Sequence, residues 1–175
     1  MNTDANLCED KPASTLDVLL VYDCVRSGER AKELCDRVGE RLPPELELNL
    51  SPWGLSVLQD PSLARLAAPV AARADLLIVA VDGATALPMT VQNWIRKHAS
   101  GARRAGRALV AQLHGILRMN QELAPAYNCL KQLAIDTGMD FFSQVAESAD
   151  VELTFWIEAI HRRARMTSPV FEGIY

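Results

Sequence analysis

Leu76-Leu77-Ile78-Val79-Ala80-Val81 is apolar without a break and stops at Asp82-Gly83. A strand with one wet face alternates apolar and polar side chains. An unbroken apolar run bounded by turn residues is instead the pattern of a strand covered on both faces, at the centre of a parallel sheet. The flanking sequence agrees. Upstream, Asp60-Pro61 is a helix cap followed by proline in the first helical position, and Leu63, Leu66, Ala67, Val70, Ala71 and Ala74 then recur at helical spacing. Downstream, Pro88 opens a helix that carries Val91, Trp94, Ile95 and His98 on one face.

The same alternation extends outward in both directions. Leu16 to Tyr22 is a short apolar run ending at Asp23. Ser27 is then read as the cap of a helix with Ala31, Leu34, Cys35, Val38 and Leu42 on its stripe, stopped by Pro43-Pro44. Leu46, Leu48 and Leu50 alternate with Glu45, Glu47 and Asn49, the pattern of an edge strand. Ser100 to Gly106 is a turn before a fourth strand, Ala108 to Leu113, which ends at His114-Gly115. Ile116 to Ala124 carries no pattern that decides between helix, strand and loop. Pro125 to Thr137 is a helix ended by Gly138, Phe141 to Val145 a fifth strand, and Ser148 the cap of a last helix. Each crossover between parallel strands must be right-handed, so this alternation predicts an α/β three-layer sandwich around a five-stranded parallel sheet. An edge position for the second strand and a central one for the third give the order 2-1-3-4-5, the flavodoxin-like arrangement.

Composition narrows the class. The chain has 175 residues, 49% of them hydrophobic and 23% charged, which suits one globular domain spanning residues 15–166. Residues 1–14 are polar and lack the basic start and apolar centre of a signal peptide, so a mobile tail and a reducing cytoplasm are expected. No apolar run is long enough for a membrane span. Residues 167–175 include Val170, Phe171, Ile174 and Tyr175, apolar enough to predict docking on this chain or across a homodimer. A net charge of −4 speaks against nucleic acid as a partner, and the run Arg96, Lys97, Arg103, Arg104 and Arg107 reads as a solvated face. Cys8, Cys24, Cys35 and Cys129 are scattered, and no pair of histidines has metal-ligand spacing, so no metal site is expected.

In an open parallel sheet ligands bind beyond the carboxyl ends of the strands, near the switch between strands one and three. The polar residues there are Asp23, Cys24, Arg26, Ser27, Asp82, Thr85, His114 and Glu147. Ser27-Gly28 at a helix start, with Arg26 beside it, favours negative charge, so any ligand is expected to be a small anion. Gly83 and Ala84 leave room for close approach from the facing loop. His114 is a candidate base.

Leu87-Pro88-Met89-Thr90-Val91-Gln92-Asn93-Trp94-Ile95, following Gly83, resembles the loop and helix after the third strand of the flavodoxin-like family. Arg26-Ser27-Gly28 is similar to that family's phosphate loop. The resemblance implies an FMN site formed by Arg26, Ser27, Gly28, Asp82, Gly83, Thr85 and His114. Ser27 is the only hydroxyl in this loop, however, and neither the loop after strand three nor that after strand four carries an aromatic residue. Cys24 and Arg30 have the spacing of the nucleophile and arginine in low-molecular-weight tyrosine phosphatases, without the hydroxyl after the arginine or a C-terminal Asp-Pro. Asp82 stands where a receiver domain has its phospho-accepting Asp, but Phe141 to Ser148 holds no lysine. The residues are therefore read as a flavodoxin-like ligand- or partner-binding module. An FMN-dependent redox protein is the first alternative, and a cysteine-dependent phosphatase the second.

Overall fold

The computed structural model describes residues 14–100 and 106–145. The readings of the two tails, of Glu147 and of a last helix from Ser148 lie outside these residues. β1 (Ser14–Tyr22), β2 (Leu46–Gly54), β3 (Leu76–Asp82), β4 (Ala108–His114) and β5 (Asp140–Val145) form one sheet in the order β2-β1-β3-β4-β5. Every pairing is parallel. The apolar run of β3 is buried from Leu76 to Val81, and β2 lies at an edge with its leucines only half-buried, as their patterns required.

Because successive strand residues point to opposite faces, the apolar runs feed two cores at once. Leu19, Val21, Leu77, Val79, Leu109 and Leu113 face one core, and Leu16, Val18, Leu20, Ile78 and Val110 face the other. Three long helices, α3 (Pro61–Arg73), α4 (Met89–Ala99) and α5 (Pro125–Thr137), cover the first, and α1 (Val25–Gly39) covers the second. The result is the three-layer α/β sandwich. Among the described residues no helix is long and apolar enough to cross a membrane.

Local chemistry explains the departures from expectation. α1 starts one turn early: its N-cap is Cys24, and Ser27 lies at the third helical position, where its Oγ accepts the Cys24 N–H at 3.3 Å. Ser27 thus answers the cap from inside the helix, as the last residue of a capping box does. The helix ends at Gly39, ahead of the prolines, yet Leu42 still reaches the core. A one-turn helix, α2 (Leu55–Gln59), fills the segment between β2 and the Asp60 cap.

In α3 the expected stripe holds at Ala67, Ala71 and Ala74 and fails at its first two leucines. Leu63 and Leu66 are exposed, and Ala64, Ala67 and Ala71 face the core. Small side chains let α4 come close, and the Trp94 indole N–H donates to the Ala64 carbonyl at 3.1 Å. The segment without a clear pattern holds a 3₁₀ helix over Arg118–Leu123. Gly138, at φ 68°, ends α5 in the left-handed conformation that glycine adopts most readily.

The basic run is not a solvated face at its last member. Arg107, just ahead of β4, is buried, and its guanidinium donates to the carbonyls of Ala71 (2.6 Å), Ala74 (2.7 Å) and Ala99 (2.5 Å). These carbonyls close α3 and α4, where a cation complements the helix dipoles. Arg96 pairs with Asp136 at 2.9 Å. Arg103 and Arg104 lie outside the described residues.

Candidate functional site

The parallel register brings the ends of β1, β3 and β4 together, with Tyr22 opposite Ala80 and Asp82 opposite His114. Asp23, the first residue after β1, ties all three. Its Oδ1 accepts the Ser27 hydroxyl at 2.6 Å, its Oδ2 accepts the Asp82 N–H at 2.7 Å, and both oxygens lie 3.1 Å from His114 Nε2. Burial acts to raise the Asp23 pKa. The Ser27 hydroxyl, the Asp82 amide and His114 outweigh it, and the carboxyl is held below its ordinary value. Asp23 is therefore a carboxylate at neutral pH, restrained from three directions.

Cys24, Arg26, Ser27, Arg30, His114 and Gly115 line a pocket of about 370 Å³ beside this cluster. It opens over the first turn of α1, between the loops after β1 and β4. Gly115 makes the turn after His114 with φ +70°, and a Cβ there would come within 3.3 Å of Asp82 Oδ1. Gln112 is buried beside Ser27, Arg30 and His114, next to the pocket, and its Oε1 has no hydrogen-bond partner among the described residues. It is a polar side chain in an otherwise apolar strand, a signal readable in Ala108–Leu113 but lying in a strand rather than in a loop.

Gly28, Asp82, Gly83 and Thr85, also expected at the site, do not line this pocket. The Gly28 N–H donates to the Cys24 carbonyl at 3.0 Å, so it is a helix amide rather than part of a phosphate loop. Its missing Cβ makes way for Tyr22, whose ring would lie 2.9 Å from one. Gly83 likewise has no open face: a Cβ there would stand 2.7 Å from Ile116. Its N–H donates to the His114 carbonyl, and its own carbonyl accepts from Ala126. Asp82 Oδ1 accepts the Ala84 N–H within its own turn, and Thr85 lies exposed beyond it. None of Asp82, Gly83 and Thr85 lines the pocket. Trp94 is buried between α3 and α4, and Trp53 packs half-buried against the core, so neither borders it.

Cys24 is exposed at the head of α1, and Arg30 reaches the same pocket. The residues between them are already helical, however, and do not curl into a ring of free amides. Glu29 also follows Gly28 where a phosphate-cradling Gly-x-x-x-x-Gly-Lys-Ser/Thr loop needs its lysine. Among the described residues the structure does gather one set that linear spacing concealed: ligating atoms of Asp23, Cys24 and His114 all lie within 4.8 Å of one another.

No protein-family model matches the chain, and no curated protein matches it. Among solved structures, translation elongation factor SelB from Methanococcus maripaludis, in its apo form, superposes with a TM-score of 0.56 at 11% identity. The match covers 89% of this chain and 34% of that one, so this chain spans about a third of that factor's length. The likeness is one of fold. Smu.1420 from Streptococcus mutans UA159 aligns over 85% of this chain and 97% of its own, at 13% identity and a TM-score of 0.44.

Proposed function

We propose that this chain is a non-catalytic, flavodoxin-like binding module for a small anion, held at the head of α1 between the loops after β1 and β4. The observation that carries this reading is the convergence of Arg26, Arg30 and His114 on one pocket beside a helix N-terminus. First-turn amides have no partner within the helix, and the helix dipole favours negative charge there. Two guanidinium groups add formal positive charge and bidentate donors suited to a phosphate group or a carboxylate.

The same geometry gives FMN less support. The space beside Gly83 in the Cβ direction is filled by Ile116, and among the described residues no aromatic side chain lines the pocket. A phosphatase reading has Cys24 and Arg30 in one pocket in its favour, but the helical Val25–Arg30 segment leaves it without an amide cradle. The free thiols Cys24, Cys35 and Cys129 suit a reducing cytoplasm.

The test is titration of the full chain with inorganic phosphate, FMN and a nucleotide, followed by thermal shift and calorimetry, on wild type, Arg26→Ala and Arg30→Ala. Ligand at ten times its Kd stabilises a protein by about 1.4 kcal/mol, a rise of about 3–5 °C in Tm for a chain of this length. Phosphate-bearing ligands should produce that rise in wild type, and each arginine variant should lose most of it. Folded protein that responds to none of them at millimolar sensitivity would leave a protein partner or a second copy of the chain as the better account.

A further inference from the structure

We infer that Asp23, Cys24 and His114 form a binding site for a borderline divalent metal ion of the Zn²⁺ class, with coordination positions left open toward the pocket. Asp23 and Cys24 directly follow β1 and His114 ends β4, and the Asp23 N–H donates to the Ala80 carbonyl of β3, so the paired strands set their separation before any ion arrives. His114 Nε2 stands 3.1 Å from each Asp23 oxygen. Two ligands bound at about 2.0–2.1 Å on a tetrahedral ion stand about 3.3 Å apart, so this pair needs to open by only a few tenths of an ångström. The Cys24 sulfur belongs to the same cluster, whose ligating atoms lie within 4.8 Å of one another.

The donor set decides the metal class. Mg²⁺ and Ca²⁺ take oxygen ligands almost throughout, whereas one thiolate, one imidazole and one carboxylate suit Zn²⁺ and its neighbours. Three protein ligands with an open position is the arrangement of a zinc site that binds a further molecule; structural zinc is closed by four. The supporting shell is present. The Ser27 hydroxyl and the Asp82 N–H orient the Asp23 carboxylate, in the way outer partners fix metal ligands. An entry path exists too, because Cys24 is exposed and the Asp23 and His114 side chains are 22% and 23% accessible. A bound cation would also offset the negative charge of Asp23 beside Arg26 and Arg30, so that an anion could complete the coordination. That last step rests on the anion-binding reading; the metal site itself does not.

The experiment uses the full chain, stripped of metal and kept in phosphate-free buffer, titrated with Co²⁺ as the spectroscopic stand-in for Zn²⁺. The expected result is saturable uptake of one equivalent, with a thiolate-to-cobalt charge-transfer band and visible bands of a four-coordinate ion, all displaced by Zn²⁺. Cys24→Ser should abolish the charge-transfer band and His114→Gln should weaken uptake, while Cys8→Ser leaves both as in wild type. Melting curves establish that each variant is folded. If Cys24→Ser does not fold, alkylation of Cys24 in the native protein provides the same comparison. Absence of saturable uptake, or a charge-transfer band that survives loss of the Cys24 thiol, overturns the site. Phosphate titration of the metal-free protein tests the anion reading separately.

Discussion

β4 has a cationic or ionisable residue at each end, and the two are used in opposite ways. Arg107, at the entrance, is buried and donates to three carbonyls that close α3 and α4. His114, at the exit, is partly exposed and bound through Nε2 to the Asp23 carboxylate, beside a pocket. At the entrance a charge is consumed in joining helices to the sheet. At the exit the chain leaves capacity uncommitted, which is where open parallel sheets place their ligands. The difference is physical. Helix C-termini offer carbonyls in need of donors at the entrance, whereas helix N-termini and strand ends at the exit offer amides and loops that water or a ligand can complete.

The entrance gives the largest expected effect. Arg107→Ala leaves several buried carbonyls without a donor and opens a cavity, so it should cost about 3 kcal/mol or more in denaturant unfolding. Arg107→Lys should recover only part of this, because an ammonium cannot span the fork of carbonyls as the planar guanidinium does. A near-neutral Arg107→Ala would erase the distinction between the two ends.

At the exit the effect should be smaller. Asp23→Asn keeps one acceptor for two donors, the Ser27 hydroxyl and the Asp82 amide, and should cost about 1–2 kcal/mol by the same measurement. A loss equal to that of Arg107→Ala would mean that Asp23 is chiefly structural and would weaken both ligand readings.

The mildest test perturbs nothing and reads two thiols of one helical segment. Burial pushes the Cys35 thiol up to about 12, whereas Cys24 is exposed at the head of the same helix. At pH 8 a thiol with a pKa near 12 has almost no thiolate, so alkylation followed by peptide mapping should modify Cys24 in the native protein and Cys35 only after unfolding. Native labelling of Cys35 at the rate of Cys24 would mean that α1 opens readily and that the site at its head is not pre-formed.

Legibility in the sequence tracked the range of the interaction. Asp60-Pro61 and Gly138 are local devices, and each worked where its residue type said it would. Ser27 is local as well, but capping chemistry is ambiguous within one turn: a serine caps from the first position or closes the box from the third. The α3 stripe is legible at Ala67, Ala71 and Ala74, but Leu63 and Leu66 lie within reach of the same helical period and Ala64 does not stand out as apolar. Only the nearness of α4 and Trp94 decides for Ala64 over the two leucines. Gly83 reads as open space in a loop and is filled by Ile116, a residue from a different loop.

By itself the sequence determined the strands, their parallel direction and their order, because apolar runs and alternation record how many faces of each strand leave water. Those patterns depend on burial alone, which each residue registers independently of its partners. Only the tertiary structure decided that Arg107 closes two helices, that Asp23 meets His114 across 91 residues, and that the pocket lies toward β4 rather than β3. Hydrogen bonds and metal-ligand distances are set to tenths of an ångström by strand register and helix approach, and no residue carries that information until its partners are in place.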